Sequence, residues 1–314
     1  MIEIWQLRTF AMVAETQNFT KAAERLKITQ SAVSHQMKAL ETEFGESLFL
    51  RTRRGVKLSP AGQAMREHAQ RILDEVEAMK ATVAGRKGVL TGRVRAAAAT
   101  QAFAYLFAPL CEAFLNAHPG IAVSFVTTAS TAQTMAVVQS GDAHVGIASV
   151  PVFSPSLTVT DLFSDELLLV VPAGHPLSRE KTVEVTQLRS ERMILYETGS
   201  SIRQVTDGFF KRTRLEPPVA LESNDAGFIK LMIEHGQGLS FLPPWVVRDE
   251  VLAGRLAILR IDGQRMRRKI AMVSQARLQS APLRAFLDFM LERRQQLRWM
   301  AEGHTPMRMG PGRE

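Results

Sequence analysis

The residues predict an all-α winged helix-turn-helix at the N-terminus, a long linker helix after it, and an α/β domain in two lobes over the remainder. Three patterns carry this reading. Residues 18–41 hold two short helical periods separated by a tight turn, residues 65–83 place apolar side chains at steps of four and three, and from about residue 92 short apolar runs alternate with helical stretches.

Ile4, Leu7, Phe10, Ala11 and Ala14 recur at helical spacing and predict a scaffold helix over about 5–15. Thr20 is positioned to cap a second helix whose Ala22, Ala23 and Leu26 stay small and apolar. A turn at Lys27 and Ile28 then leads to a third helix behind Thr29. In that helix Val33, Met37, Leu40 and Phe44 share one face, expected to be buried. Ser31, Ser34, His35, Lys38 and Thr42 fall opposite, with Gln30 at the N-terminus, so hydrogen-bonding and cationic groups face outward. On a lone helix this would be an ordinary solvated face. Here residues 48–59 follow as two strand-like runs around a turn, with Arg51, Arg53, Arg54 and Lys57 and no acid among them. Such a wing suits backbone phosphates, while the helix face suits base edges. The expected DNA-contacting set is Thr20, Gln30, Ser31, Ser34, His35, Lys38, Arg51, Arg53, Arg54 and Lys57, with double-stranded DNA as the partner.

The first sixty residues resemble the winged helix-turn-helix of LysR-type transcriptional regulators. The resemblance rests on residues 7–10 (Leu-Arg-Thr-Phe), 18–26 (Asn-Phe-Thr-Lys-Ala-Ala-Glu-Arg-Leu), 29–34 (Thr-Gln-Ser-Ala-Val-Ser), Leu40-Glu41, Leu48-Phe49 and 58–62 (Leu-Ser-Pro-Ala-Gly). One departure stands out. His35 occupies a position where the family most often has arginine, replacing a permanent cation with an imidazole, which is mainly neutral at cytoplasmic pH unless a phosphate holds its proton.

Composition agrees with a regulator. The chain has 314 residues, 46% of them hydrophobic and 22% charged, enough for two or three cored domains rather than a disordered tail. A net charge of +8 suits a polyanionic partner but sets affinity rather than sequence choice. Glu3 and Arg8 interrupt any leader-like apolar run and no stretch approaches a membrane span, so a cytoplasmic protein without membrane association is expected. Cys111 is the single cysteine, which excludes an intramolecular disulfide, and its place among Leu106, Phe107, Leu110 and Phe114 marks it as core rather than redox sensor.

Ser59 as cap and Pro60 at the first helical position start the linker helix, in which Met65, Ala69, Ile72, Val76, Met79 and Val83 form a heptad seam. The seam serves either its own chain or a second copy. The resemblance favours a coiled coil that pairs two chains, hence a homodimer and, by the family's habit, a homotetramer, with RNA polymerase a further candidate partner. Residues 85–92, rich in glycine and charge, are the candidate hinge. Strands are expected over 94–99, 122–126 and 145–149 in a largely parallel sheet. A second lobe then opens at 166–172 and continues through 193–196, 219–221 and 239–242, and the chain returns to the first lobe through 269–274 and a helix over 282–299. Two lobes with two crossings resemble the effector-binding half of LysR-type proteins, which shares its fold with type II periplasmic binding proteins. The expected domains are 1–59 (DNA-binding), 60–91 (linker and hinge) and 92–300 (effector-binding), with lobe I at about 92–163 and 267–300 and lobe II at about 164–266. Residues 301–314 are expected to form a disordered tail.

Ligands of such sheets sit beyond the carboxyl ends of strands, where helix N-termini and loop hydroxyls converge. That placement points to Thr100, Gln101, Thr128, Ser130, Thr131 and Ser149 from one lobe, and to Thr198, Gly199, Ser200, Ser201, Ser223 and Asn224 from the other. Taken singly each is more often a helix cap; their convergence suggests a pocket for a small anionic effector of unknown identity. Glu197 would repel that ligand unless Arg203 neutralises it. No phosphate-binding Gly-rich loop, His-Glu-x-x-His pair or Gly-x-Ser-x-Gly elbow occurs, so no catalytic residue, metal ligand or cofactor is assigned and no enzyme is expected. The reading is a sequence-specific transcriptional regulator whose promoter binding a small molecule modulates. The alternative is a solute-like binding protein or an enzyme in the C-terminal half, with DNA binding secondary.

Overall fold

The computed structural model describes residues 1–52, 55–83, 90–99, 103–151, 154–275 and 280–304. Arg53, Arg54, Thr100, Gln101, most of the 85–92 hinge and residues 305–314 of the tail lie outside them.

The N-terminal unit packs α1 (Ile4–Thr16), α2 (Phe19–Leu26) and α3 (Gln30–Phe44) around Phe10, Val13, Ala22, Val33, Met37 and Leu40. Asn18, rather than Thr20, caps α2. Its backbone is extended, and its side-chain oxygen accepts from the Thr20 and Lys21 amides at 2.9 and 3.0 Å, which leaves Thr20 inside the first turn. Lys27 takes a left-handed conformation (φ 57°) that ends α2, and Thr29 caps α3 by accepting from the Ala32 amide. Phe44 departs from expectation. At the last residue of α3 it stays 46% exposed, so the buried stripe stops at Leu40.

Strands β1 (Phe49–Thr52) and β2 (Gly55–Leu58) pair antiparallel as the wing. Phe49 packs its ring near Phe10 and Phe19, and the Val56 amide donates to the Gln17 carbonyl, so the wing is tied to the end of α1. Helix α4 (Pro60–Val83) starts on the Ser59 hydroxyl, which accepts from the Gly62 amide at 3.0 Å. A Cβ at Gly62 would stand 2.1 Å from the Leu48 carbonyl oxygen, a backbone atom that cannot swing aside. Gly62→Ala is therefore expected to lower the stability of the N-terminal unit by about 1–3 kcal/mol, read as an earlier urea midpoint. Met65 and Ala69 are buried against the helix-turn-helix, whereas Ile72 and Met79 are 43% and 55% exposed. The first turns of the seam thus serve their own chain and the later ones present apolar side chains to solvent.

The C-terminal unit is built on one eight-stranded sheet, in the order β4 (Ile121–Thr127), β3 (Gly92–Ala98), β5 (Val145–Val150), β12 (Met266–Gln275), β6 (Leu157–Pro172), β11 (Leu256–Ile261) and β7 (Thr182–Val183), with β10 (Ser240–Leu242) also on β6. A short parallel pair, β8 (Met193–Leu195) and β9 (Val219–Glu222), completes the second lobe. The expectation of a largely parallel sheet is corrected. The β3–β4, β3–β5 and β7–β11 pairs are parallel, but β6 pairs antiparallel with β10, β11 and β12, and β12 pairs antiparallel with β5. The cause is the crossings: 16-residue β6 carries the chain out of the first lobe and ten-residue β12 brings it back, so they run side by side in opposite directions. The helices are α5 (Ala108–Ala117), α6 (Thr131–Gln139), α7 (Ser201–Thr213), α8 (Ala226–Glu234), α9 (Pro244–Leu252), α10 (Ala281–Glu292) and α11 (Arg294–Ala301). The last two replace the single helix expected over 282–299. Among the described residues no helix is long and apolar enough to cross a membrane.

Candidate functional site

The outward face of α3 is assembled from its capping turn. Thr29 and Ser31 share a hydrogen bond at 2.9 Å, and the Gln30 amide donates to the Ser34 hydroxyl at 2.9 Å, so the polar groups of the first turns hold one another in place. Thr20, Gln30, Ser31, His35 and Lys38 are exposed and Ser34 is half-buried. Arg51 on β1 and Lys57 on β2 are exposed on the wing. The Met37–Leu40 face is locked in the core, so this polar face is held outward.

A cavity of about 380 Å³ lies between the lobes. Its lining brings together Thr128, Ser130, Thr131 and Ser149 from the first lobe with Ser200, Ser201 and Asn224 from the second. Thr198, Gly199 and Ser223 are not among the lining residues. The helix starts that place these groups are conventional. Ser130 caps α6, accepting from the Gln133 amide at 3.1 Å, and Ser200 caps α7, accepting from the Arg203 amide at 3.1 Å. Capping and cavity lining therefore coincide in both serines.

The floor comes from residues that pattern reading did not single out. Arg268 on β12 lines the cavity, is buried, and lies directly opposite Asp165 in the register with β6. Its guanidinium is bidentate to the Asp165 carboxylate, and Nη1 donates to the Ser201 hydroxyl at 3.0 Å. The Trp245 indole N–H, from α9, donates to the same carboxylate at 3.3 Å. Tyr196 also lines the cavity; its hydroxyl is enclosed without a partner among the described residues, and burial pushes the phenol above its ordinary range against the opposing pull of Arg268, so it stays protonated. Leu106, Phe107, Phe163 and Ile270 supply apolar wall. Arg203 is not the partner of Glu197. Arg203 pairs with Asp207 and Glu222, and Glu197 instead accepts from the Asn224 amide at 2.7 Å. Hydroxyls, a phenol and the Asp165-paired Arg268 guanidinium in an apolar enclosure suit a small oxyanion.

The opposite end of α6 touches the linker. Arg95 donates to the Gly141 and Asp142 carbonyls at 3.0 Å, fixing the turn after α6, and Asp142 forms an ion pair with Arg66 of α4. His144 accepts the Arg95 amide on Nδ1 and sets Nε2 3.3 Å from Asp74 of α4. Burial raises the Asp74 carboxyl, but the contacts with His144 and Gln70 outweigh it and hold the group below the usual carboxylate range. A depressed value stabilises this contact at neutral pH, and the contact is lost only as pH falls through that lowered range. Cys111 is buried and its thiol is pushed up to about 11 by burial, which keeps it protonated at neutral pH.

Comparison with known proteins places both regions. Residues 4–63 match the family described as bacterial regulatory helix-turn-helix protein, lysR family, and residues 87–295 match the LysR substrate binding domain. The chain is 28% identical to the transcriptional activator CmpR of Synechocystis sp. over 91% of its own length and 93% of that protein. It is similar to the full-length structure of CbnR complexed with its target DNA (TM-score 0.63, 26% identity, 93% of this chain and 100% of that one). It is also similar to the regulatory domain of Synechocystis CcmR in complex with 2-PG (TM-score 0.59, 28% identity, 64% of this chain and 96% of that one).

Proposed function

This chain belongs to the LysR family of DNA-binding transcriptional regulators, and from that premise we propose that a small anion held between its lobes sets how its paired recognition helices engage promoter DNA. The chain acts in the cytoplasm as a homodimer or homotetramer. The exposed later turns of the α4 seam, at Ile72 and Met79, are the apolar surface that a second copy covers. Thr20, Gln30, Ser31, Ser34, His35 and Lys38 face the major groove, while Arg51, Arg53, Arg54 and Lys57 bind phosphates. The CbnR complex with target DNA and the CcmR domain with 2-PG supply the precedents for the two ligand types.

One observation carries the coupling. Helix α6 has its capped N-terminus, Ser130 and Thr131, in the cavity, and its other end feeds the 141–144 turn that grips Arg66 and Asp74 of the linker helix. Nine residues span about 13 Å, so one rigid element joins the ligand site to the helix that carries the DNA-binding unit. A ligand that prefers one lobe arrangement shifts the linker with it, and only that difference in affinity does so.

The test is a titration against duplex DNA from upstream of the chain's own gene, beside a shuffled duplex, with and without a panel of small carboxylates and phosphate esters. Specific binding whose footprint or bend changes with one of them supports the reading; a footprint, bend and transcription unmoved by saturating ligand overturn it. Asp74→Ala is expected to flatten the ligand-induced change in DNA affinity while ligand affinity, by calorimetry, stays within about twofold, as for distant independent sites.

A further inference from the structure

The hydrogen-bond inventory of the cavity is lopsided, and the imbalance specifies the ligand further. The hydroxyls of Ser130, Ser200, Thr131 and Ser201 each already accept a bond, from the amides of Gln133, Arg203 and Ser149 and from Arg268 Nη1 respectively. Their own protons are unspent among the described residues and remain to be donated. With Arg268 and the enclosed Tyr196 hydroxyl, they make a donor-rich wall that receives oxyanion oxygens.

Two points on the wall are the reverse. Glu197 can only accept, so the Asn224 amide nitrogen must face it, as the 2.7 Å contact shows, and this fixes the amide orientation. The Asn224 Oδ1 is left buried without a partner among the described residues. The Thr134 hydroxyl donates its one proton to the Ser130 carbonyl at 3.1 Å, so in the 2.7 Å contact between Thr128 and Thr134 it is Thr128 that donates. Thr128 therefore meets the cavity as an acceptor. Asn224 comes from the second lobe and Thr128 from the first, so acceptors stand on both sides of the cleft.

Resting on the reading of the cleft as a small-anion site, we infer that its ligand is an anion that also carries a hydrogen-bond donor, a hydroxylated carboxylate or phosphate ester, and that Asn224 selects for this donor. A plain anion satisfies the donor wall and leaves Oδ1 unmet; a hydroxyl on the ligand removes that deficit on binding. The discrimination expected from one unmet buried acceptor is roughly 5- to 150-fold in affinity.

Matched pairs test this by calorimetry on the full-length chain: malate against succinate, and glycerol 3-phosphate against propyl phosphate. The expected result is that the hydroxylated member of at least one pair binds about tenfold tighter or more, the lower part of that span. The carboxylate and phosphate arms separate the two anion types. In Asn224→Leu the preference is expected to collapse to within about twofold, the tolerance for a lost coupling, and a urea midpoint close to that of the unaltered chain shows that the variant is folded. Thr128→Val is a second arm, expected to narrow the same preference. Equal binding of both members by the unaltered chain, or a preference that survives in Asn224→Leu, overturns the inference and leaves the small-anion reading standing. Binding of neither member of either pair overturns both.

Discussion

Asp165→Ala is expected to be the most damaging single substitution in the C-terminal unit, lowering its stability by about 3–5 kcal/mol because it strands a guanidinium in the core. Arg268 and Asp165 are both buried, lie opposite each other on the two crossing strands, and share their remaining bonds with Trp245 and Ser201 of the second lobe. Removing one partner leaves a full charge that is almost wholly enclosed by protein. Removing both does not. The double variant Asp165→Leu, Arg268→Met keeps volume and apolar character and is expected to recover most of the loss, since well-packed apolar replacements of buried ion pairs are often neutral. Urea unfolding of the three variants reads this directly. The double variant also separates structure from function: folded but without the guanidinium, it is expected to bind anions poorly and to leave DNA binding unresponsive to them. An Asp165→Ala protein that unfolds within about 1 kcal/mol of the original, the scale of an exposed pair, would show that the crossing is hydrated and that the pair does not set the floor of the cleft. Full ligand response in the double variant would remove Arg268 from the site.

Legibility in the primary chain follows the range of the interactions involved. The helix-turn-helix is written locally. Asn18, Lys27 and Thr29 punctuate it within a dozen residues, and Val33, Met37 and Leu40 mark its buried face, while the exposure of Phe44 and the choice of Asn18 over Thr20 as cap depend on geometry that periodicity does not carry. The cavity was half legible for the same reason. Ser130 and Ser200 are found because helix caps at strand ends have a local signature. Arg268 and Asp165 have none, since their partnership spans 103 positions and Arg268 sits in a run, Arg265-Met266-Arg267-Arg268-Lys269, that reads as solvated surface. A signal was nonetheless present. Alternation places Arg268 on the same face as Met266 and Ile270, and Asp165 on that of Phe163 and Leu167, which marks each as a charge on an apolar face. The parallel-sheet expectation failed because short apolar runs carry no direction; only the double crossing by β6 and β12 sets it.

Gln30→Ala and Lys57→Ala are expected to separate base reading from phosphate attraction in the N-terminal unit. Gln30 is exposed at the start of α3, where its amide is held by Ser34, and an amide there can pair with a base edge through donor and acceptor together. Its loss is expected to cost about 1–3 kcal/mol on the native duplex, roughly 5- to 150-fold, and almost nothing on a shuffled one. Lys57 stands on the wing in strand β2, with no part in the helix. Its loss is expected to weaken both duplexes alike and to reduce the slope of log affinity against log salt by about 0.9 per protomer. His35→Arg makes the opposite change: a permanent cation on the outward face of α3 is expected to steepen the salt dependence by about the same amount. The three variants occupy exposed positions, so folding is not at stake and the readout is binding alone. Fluorescence anisotropy at four or five salt concentrations distinguishes the outcomes. A Gln30→Ala protein that loses affinity equally for both duplexes would mean that α3 rests on the backbone and that specificity comes from DNA shape or from the wing. A Lys57→Ala protein with an unchanged salt slope would place the wing away from the phosphates and shift that role to Lys38 and Arg51.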